Sequence, residues 1–385
     1  MTREMTNGDP GLLLTGATGF LGGEVLARLL EREQRPVYAL VRAGSDKEAE
    51  ERLRRLIESL LGRPEPWSRR AVAVAGDLTR PGLGIEMAKR EWLAARVGRI
   101  VHCAASVSFE LGLDESRAIN VEGTRRLLDL GELCARRGGI DSFVHVSTAY
   151  VAGDHPDRYG EGELDVGQAF RNPYERSKYE AEVLVRARAS TLPVQVVRPS
   201  IVVGDSRTGW TPAFNVLYWP IRAFAKGAYP ILPARRSSPV DVVPVDYVAE
   251  GILALAGRPG TTYHLSAGAR ASSVGELIGL ASESAGRPPP RVLPPWLYRR
   301  AIHPLLLRRG SERRRRALRR SEVFFPYFSM RGRFDNGSAR AALSPRGIAP
   351  PPRLPAYFER LMRFARAAKW GRRPIARHEA RGAGA

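Results

Sequence analysis

Tyr174 and Lys178 stand four residues apart in the run Asn172-Pro173-Tyr174-Glu175-Arg176-Ser177-Lys178. On a helix that spacing puts both side chains on one face. A tyrosine ordinarily ionises near pH ~10. An ammonium beside it favours phenolate and is expected to lower that value. A phenol tuned in this way passes a proton at neutral pH to an oxygen that is receiving a hydride. Lys178 is one of only five lysines among 61 basic residues, which draws attention to its position. Upstream, Phe143-Val144-His145-Val146-Ser147-Thr148-Ala149-Tyr150 reads as a strand ending in hydroxyls, and Thr148 can hydrogen-bond the same oxygen. Taken alone, the Tyr–Lys pair has a blander account: a surface helix with an incidental i,i+4 contact.

A second constellation changes that balance. Thr15-Gly16-Ala17-Thr18-Gly19-Phe20-Leu21-Gly22 has the spacing G-x-x-G-x-x-G, follows a short apolar strand and opens a helix. Glycine is needed where a turn is tight, where backbone approaches a pyrophosphate, and where helix packs on strand. The helix N-terminus then offers free N–H groups and a positive dipole end to the phosphates. A purely structural glycine turn is the alternative, and the strand–loop–helix setting weighs against it. At the end of the next strand an Asp or Glu would hold the ribose 2′-OH of NAD. The chain has Leu40-Val41-Arg42 there, with Lys47 and Arg52 downstream. A guanidinium suits a 2′-phosphate bidentately, so the expected cofactor is NADPH. The alternative for Arg42 is a solvated arginine in an arginine-rich chain. Ala75-Gly76-Asp77-Leu78 follows the third strand and offers a carboxylate or backbone group to adenine.

These residues need a scaffold, and the hydropathy pattern supplies one. Strand-like runs at Gly11–Thr15, Val37–Val41, Ala71–Ala75, Ile100–Cys103, Phe143–Ser147 and Val194–Val197 alternate with amphipathic helices. The helices are expected at Phe20–Arg32, Lys47–Leu61, Val121–Arg136 and Tyr174–Ala189. Asp246–Ala256 reads as one more helix and Thr261–Leu265 as a returning strand. Alternation of this kind predicts an α/β class, a doubly wound parallel sheet (Rossmann) with a smaller, mainly helical C-terminal substrate domain. Residues 8–265 form the nucleotide-binding domain in this reading, with a substrate-region insertion at about 206–240. Residues 266–385 form a C-terminal region with a basic segment and, from Arg377 onward, a disordered tail.

The chain has 385 residues and is 43% hydrophobic, which excludes disordered and fibrous classes. No apolar run approaches the ~20 residues that span a bilayer. Leu12-Leu13-Leu14 is too short for a signal peptide, so the expected compartment is the cytoplasm. Cys103 and Cys134 are too few for a disulfide scaffold or a cysteine zinc site, and no metal is expected. The net charge of +21 favours anionic partners. Over half of it sits in 287–333, where fourteen arginines face two glutamates. Arg313–Arg316, Arg319 and Arg320 would suit the phosphates of coenzyme A, an acidic carrier or an anionic membrane, and a solvated face is the plain alternative. Nucleic acid is not expected, because aromatics do not interleave with the basic residues in a recognisable module.

The motifs together resemble those of the extended short-chain dehydrogenase/reductases, over roughly residues 11–265. They are TGATGFLG (15–22), LVRA (40–43), HCAASVSF (102–109), NVEGT (120–124), HVSTAYVAG (145–153), YERSK (174–178), RPSIVVGDSRTGW (198–210) and VDYV (245–248). HCAASVSF, STAYV and GDSRTGW are similar, more narrowly, to the fatty acyl-CoA reductase and thioester reductase branch with its male-sterility-type NAD-binding region. The resemblance implies that Thr148, Tyr174 and Lys178 act as hydroxyl, acid and ammonium. It gives Gly16, Gly19 and Gly22 the pyrophosphate, with Thr18, Phe20 and Leu21 of the same loop as cofactor contacts. Arg42 takes the 2′-phosphate, and Asp77 and Leu78 the adenine side. Ala104 and Ala105 lie along the cofactor, beside His102, which reads as packing. Pro199 and Ser200 border the nicotinamide. Asn120 joins the proton relay and the cofactor contacts, with helix capping an equal alternative. Phe325-Pro326-Tyr327-Phe328 resembles the C-terminal part of acyl reductases and receives no catalytic role.

The implied activity is NADPH-dependent reduction of an acyl-CoA or acyl carrier protein thioester to an aldehyde, and in a second round to an alcohol. Aromatic and apolar runs, Trp210–Phe214, Leu217–Trp219, Trp296–Tyr298 and Pro304–Leu307, would line a long-chain site or else be ordinary core. The same fold also serves sugar-nucleotide epimerases and dehydratases and hydroxysteroid or ketone reductases. A non-catalytic dinucleotide sensor is the third reading, and the presence of Tyr174 and Lys178 speaks against it.

Overall fold

The computed structural model describes residues 10–63, 66–227, 230–309, 312, 315, 319 and 322–382. Seven strands make one sheet: β1 (Gly11–Thr15), β2 (Val37–Val41), β3 (Ala71–Ala75), β4 (Val97–His102), β5 (Ser142–Val146), β6 (Val194–Pro199) and β7 (Thr262–Leu265). Every pairing is parallel, in the order β7-β6-β5-β4-β1-β2-β3. Strands covered on both faces should be apolar throughout, and β1, β2 and β5 are buried at every position. The order reverses between β1 and β4, so the crevice at the C-terminal ends of those strands is the expected ligand site.

The helices of this part are α1 (Phe20–Arg32), α2 (Asp46–Leu61), α3 (Met87–Ala94), α4 (Leu113–Asn120), α5 (Glu122–Arg137), α6 (Pro173–Ala187) and α8 (Val245–Leu255), with α7 (Tyr218–Ala225) in the insertion before α8. Their ends follow local chemistry. The Ser45 hydroxyl accepts from the Glu48 amide at 3.2 Å to start α2, and Gly62 at φ 84° closes it. Asn172 accepts from the Glu175 amide at 3.0 Å, and Pro173 follows as the first helical residue of α6. One core on the α1 face includes Leu26, Leu29 and Leu30, and the opposite face includes Leu127, Leu128 and Phe143. Each such buried side chain contributes about 1.5–3 kcal/mol of transfer free energy.

A third core joins three stretches distant in sequence. It contains Leu217, which caps α7, Tyr218 and Ile221 of α7, Leu277 and Ile278 of helix Val274–Ala285, and Phe358, Leu361, Met362 and Ala365 of helix Phe358–Ala367. The short strands Ile231–Pro233 and Arg291–Leu293 pair in parallel. The 206–240 insertion and the chain after 265 therefore share one apolar centre rather than folding apart. The C-terminal region also returns to the sheet domain, because Arg333–Phe334 pairs with Arg158–Tyr159.

The expected disordered tail is corrected for Arg377–Gly382, which is helical. Arg377 is only 2% exposed. Its guanidinium reaches Glu24 of α1 at 2.7 and 3.1 Å and Glu31 at 3.1 Å, so buried charge pairing anchors a segment that composition alone would leave free. Of the expected arginine block, Arg313, Arg314, Arg316 and Arg320 lie outside the described residues. Among the described residues no helix is long and apolar enough to cross a membrane.

Candidate active site

The glycine loop runs from the end of β1 into α1 as expected. Gly16 has φ +76°, and a Cβ there would sit 2.7 Å from the Ala104 nitrogen. A Cβ on Gly22 would run into the Gly16 carbonyl oxygen. Both positions therefore need glycine, one for its left-handed backbone and one for helix packing against the turn. Gly19 N donates to the Gly16 carbonyl at 2.8 Å, which folds the loop back so that Thr18, Phe20 and Leu21 flank the start of α1. These features fit a pyrophosphate cradle. Ala104 and Ala105 follow β4, and the Ala104 amide donates to the Thr15 hydroxyl at 3.2 Å. His102 is clamped between the Thr15 and Thr124 hydroxyls at 2.7 and 3.0 Å. Burial drives its pKa down to about 3, and the Lys178 charge adds to this, so it is neutral packing in the wall of the crevice.

Arg42 is exposed just past β2. Arg52, downstream of it, donates to the Arg42 carbonyl and so braces that turn. Burial pushes the Asp77 carboxyl up, but the Thr79 amide and hydroxyl, each at 2.8 Å, and the Arg42 and Arg80 charges hold it below the ordinary range. Leu78 offers its carbonyl to Arg126 at 3.0 Å and packs beside Gly123 of α5.

Thr148, Tyr174 and Lys178 converge at the C-terminal ends of β5 and β6. Thr148 follows β5, is 4% exposed, accepts from the Tyr150 amide at 3.2 Å and donates to the Pro199 carbonyl at 3.5 Å. Pro199 ends β6, and the Ser200 amide donates to the Leu265 carbonyl at 3.2 Å, fixing the turn beside it. Lys178 donates to the Val146 carbonyl at 2.8 Å. Burial lowers its ammonium to about 8, while Glu182, one turn further along α6, and Cys103 pull the other way.

The expected lowering of the Tyr174 pKa is overturned. Burial pushes the phenol up to about 12, against a smaller downward pull from the Thr148 hydroxyl. The ammonium is directed at the Val146 carbonyl instead, so desolvation prevails. A phenol kept neutral at pH 7 is a proton donor.

Asn120 ends α4 and uses its side chain for hydrogen bonds to Ser106 and Ser177 rather than for a helix cap. Its Nδ2 donates to the Ser106 carbonyl at 3.1 Å and the Ser177 hydroxyl at 2.9 Å, and its Oδ1 accepts from the Ser106 amide at 2.7 Å. It ties the loop after β4 to α6, the helix that carries Tyr174 and Lys178.

Several neighbours were given no role in the sequence reading. Glu182 is fully buried in a bidentate pair with Arg198 at 2.7 and 3.0 Å, and its i,i+4 spacing from Lys178 was a readable signal. Tyr327 stood in the stretch that resembles the C-terminal part of acyl reductases and received no role, and its position 153 residues beyond Tyr174 gave no sign that the two would meet. Its ring stacks on Phe109 at 5.7 Å, and Phe109 packs on Tyr174 at 5.7 Å. Its hydroxyl donates to Glu175 at 2.7 Å and accepts from Asn172 at 2.6 Å. Phe324 packs on Phe109 at 6.0 Å and stacks on Trp219 at 5.7 Å, so the turn Glu322–Ser329 completes an aromatic roof in which Phe109 is the ring that meets the phenol. Of the residues expected to line a substrate site, Trp210, Tyr218 and Tyr298 are instead ordinary core, each at most 3% exposed.

A parallel sheet, a glycine loop at its switch point and a Thr–Tyr–Lys set on the adjoining strand ends define an extended dinucleotide-binding fold of the short-chain dehydrogenase/reductase type. The chain belongs to the family described as Male sterility protein, whose NAD-binding model matches residues 14–252. It is 29% identical over 285 residues to the fatty acyl-CoA reductase wat of Drosophila melanogaster, covering 64% of this chain and 54% of that protein. It is 34% identical over 282 residues to the L-2-aminoadipate reductase large subunit of Penicillium chrysogenum, covering 68% of this chain and 19% of that one. The crystal structure of the terminal R domain from the myxalamid PKS-NRPS pathway superposes with a TM-score of 0.79 at 28% identity, over 96% of this chain and 94% of that one. The chain spans about half the length of the fatty acyl-CoA reductases it matches. The kinship read from the motifs is borne out, and the structural likeness extends past residue 265.

Proposed function

We propose that the chain is an NADPH-dependent reductase of fatty acyl thioesters, with Tyr174 as the proton donor. The observation that carries the reading is a half-buried, neutral phenol on α6 beside Thr148, at strand ends adjoining the glycine-loop crevice. When bound, a reduced nicotinamide supplies hydride. Gly16, Gly19, Gly22 and the start of α1 would hold its pyrophosphate, and Arg42 a 2′-phosphate. Thr148 orients the thioester carbonyl oxygen, and Tyr174 gives its proton to that oxygen as negative charge develops there. Lys178 keeps positive charge behind the phenol and favours the phenolate left after the transfer. The tetrahedral adduct then expels its thiol and leaves an aldehyde. The aromatic roof over Tyr174 excludes water and receives the acyl chain.

Peripheral contact with an anionic membrane is a second element of the proposal. Trp296 is 65% and Leu305 44% exposed, close in sequence to Arg299, Arg300 and Arg308. The test of the main reading is a panel of acyl thioesters with NADPH and NADH, followed by product mass spectrometry. Aldehyde or alcohol formed from a long-chain thioester with NADPH is the expected result. Turnover of a ketone or sugar nucleotide, with no product from any thioester, would reject it.

A further inference from the structure

Glu182 follows Lys178 by one turn of α6, so the two side chains lie on one helix face. It is fully buried, and so is Arg198 of β6. Arg198 donates to both carboxylate oxygens, from Nη2 at 2.7 Å and from Nε at 3.0 Å, and the half-buried Arg186 adds a contact at 2.9 Å. Burial pushes the Glu182 carboxyl up, but the Arg198 charge and hydrogen bonds hold it below the ordinary range, so it is an anion at pH 7. Replacing a buried ion pair by apolar groups of similar volume often leaves a fold equally stable. Packing alone therefore does not account for a charged pair at this position.

The pair is fixed from several directions. Arg198 Nη1 donates to His264 Nε2 at 3.0 Å on the neighbouring strand β7, and His264 Nδ1 donates to the Asp335 carbonyl at 2.5 Å. Burial and the Arg198 charge take the His264 pKa down to about 3, which keeps the ring in the neutral form that accepts from Arg198. Arg198 Nη2 also donates to the Glu163 carbonyl at 2.6 Å, and its guanidinium lies over the Tyr159 ring at 5.2 Å. Glu161 accepts from the His264 amide at 2.9 Å and from the Ser338 and Ala339 amides at 2.6 and 3.0 Å. The Glu182 carboxylate cannot swing away from its place without breaking contacts that tie β6 and β7 to the chain after Arg333.

Among the described residues facing Lys178, the other titratable groups are uncharged at pH 7. Burial and the lysine's own charge keep His102 of β4 and His145 of β5 neutral. Burial pushes the Cys103 thiol up to about 12 against a smaller pull from the ammonium, and Tyr174 on the same helix also keeps its proton. Glu182 is left as the anion that acts on the ammonium. We propose that Glu182 is a positioning residue for Lys178: fixed by Arg198 and His264, it places a negative charge one turn from the ammonium that stands behind Tyr174. The inference rests on the proton-donor reading above and adds the group that keeps Lys178 charged during turnover. It also makes the segment 335–339 part of the scaffold of the active site.

The test is a pH titration by NMR of protein carrying isotope-labelled lysine. The chain has five lysines, and Lys178→Met identifies the Lys178 signal by its loss. In the unaltered protein the Lys178 midpoint should lie near pH 8. In Glu182→Gln it should fall by about one unit, and Glu182→Asp should restore part of the shift. With a thioester and NADPH the alkaline fall in kcat should move with it, so that well above the midpoint the rate, relative to its acid plateau, drops by about tenfold. Should Glu182→Gln fail to fold, the double variant E182M/R198M removes both charges of the pair and leaves neither one buried without its partner; its midpoint should fall likewise. An unmoved midpoint in whichever variant folds, or loss of the fold in both, makes the pair a structural clamp and overturns the proposal. A shifted midpoint without reduction of any thioester would leave Glu182 assigned and refute the reductase reading.

Discussion

In Lys178→Met the side chain keeps its apolar stem and loses the ammonium. Lys178 is 2% exposed, and burial takes its pKa from 10.5 to about 8. With the folded value below the unfolded one, the unfolded chain binds more protons between about pH 8 and pH 10.5, so this residue's contribution to stability rises with pH across that window. Below about pH 8 both states carry the proton, and the fold bears the full cost of burying it. At about 1.4 kcal/mol per pH unit that cost is about 3 kcal/mol. Losing the hydrogen bond to the Val146 carbonyl takes back about 1 kcal/mol. The variant should therefore be about 2 kcal/mol more stable than the parent near pH 7, a margin that vanishes near pH 10. Its turnover with NADPH should fall by about 10²–10⁴-fold. Urea unfolding midpoints at the two pH values, with initial rates alongside, measure both effects. A variant that is destabilised near neutrality, or whose stability difference ignores pH, would refute the account of a buried ammonium retained for activity.

Three further outcomes are expected. Tyr174→Phe should lower kcat by about 10²–10⁴-fold while nucleotide affinity, read by NADPH fluorescence, stays unchanged; an indifferent rate would point to a sensor rather than an enzyme. Arg42→Glu should reduce the NADPH-over-NADH preference in kcat/KM by about tenfold to a hundredfold, and an unchanged ratio would place the 2′-phosphate elsewhere. Arg377→Ala leaves the buried Glu24 carboxylate with Arg28 as its remaining partner, and should cost about 2 kcal/mol in denaturant unfolding; a loss below about 0.5 kcal/mol would mean that the C-terminal helix contributes little.

Much of the sheet domain was legible because its signals are local. A buried parallel strand reads as a near-continuous apolar run, and an amphipathic helix must repeat every 3.6 residues, so the elements could be bounded to within a few residues. The glycine loop was legible for the same reason: Gly16 needs a left-handed backbone and Gly22 close packing, and both demands fall on single residues. The direction of the Tyr174 shift was not legible. Spacing put the ammonium on the same helix face, but it could not say that the Val146 carbonyl would take it or that burial would outweigh it.

The sequence by itself determined the class of fold, the position of the glycine loop and which threonine, tyrosine and lysine stand as candidates for the site. The tertiary structure alone decided the surroundings of that set. It brought Tyr327 and Phe324 against Phe109, which packs on Tyr174, made one core from three distant stretches, and turned an arginine-rich end into a docked helix through Glu24 and Glu31. Those contacts join residues hundreds of positions apart, and their energy comes from burial and charge pairing that exist only once the chain has closed on itself.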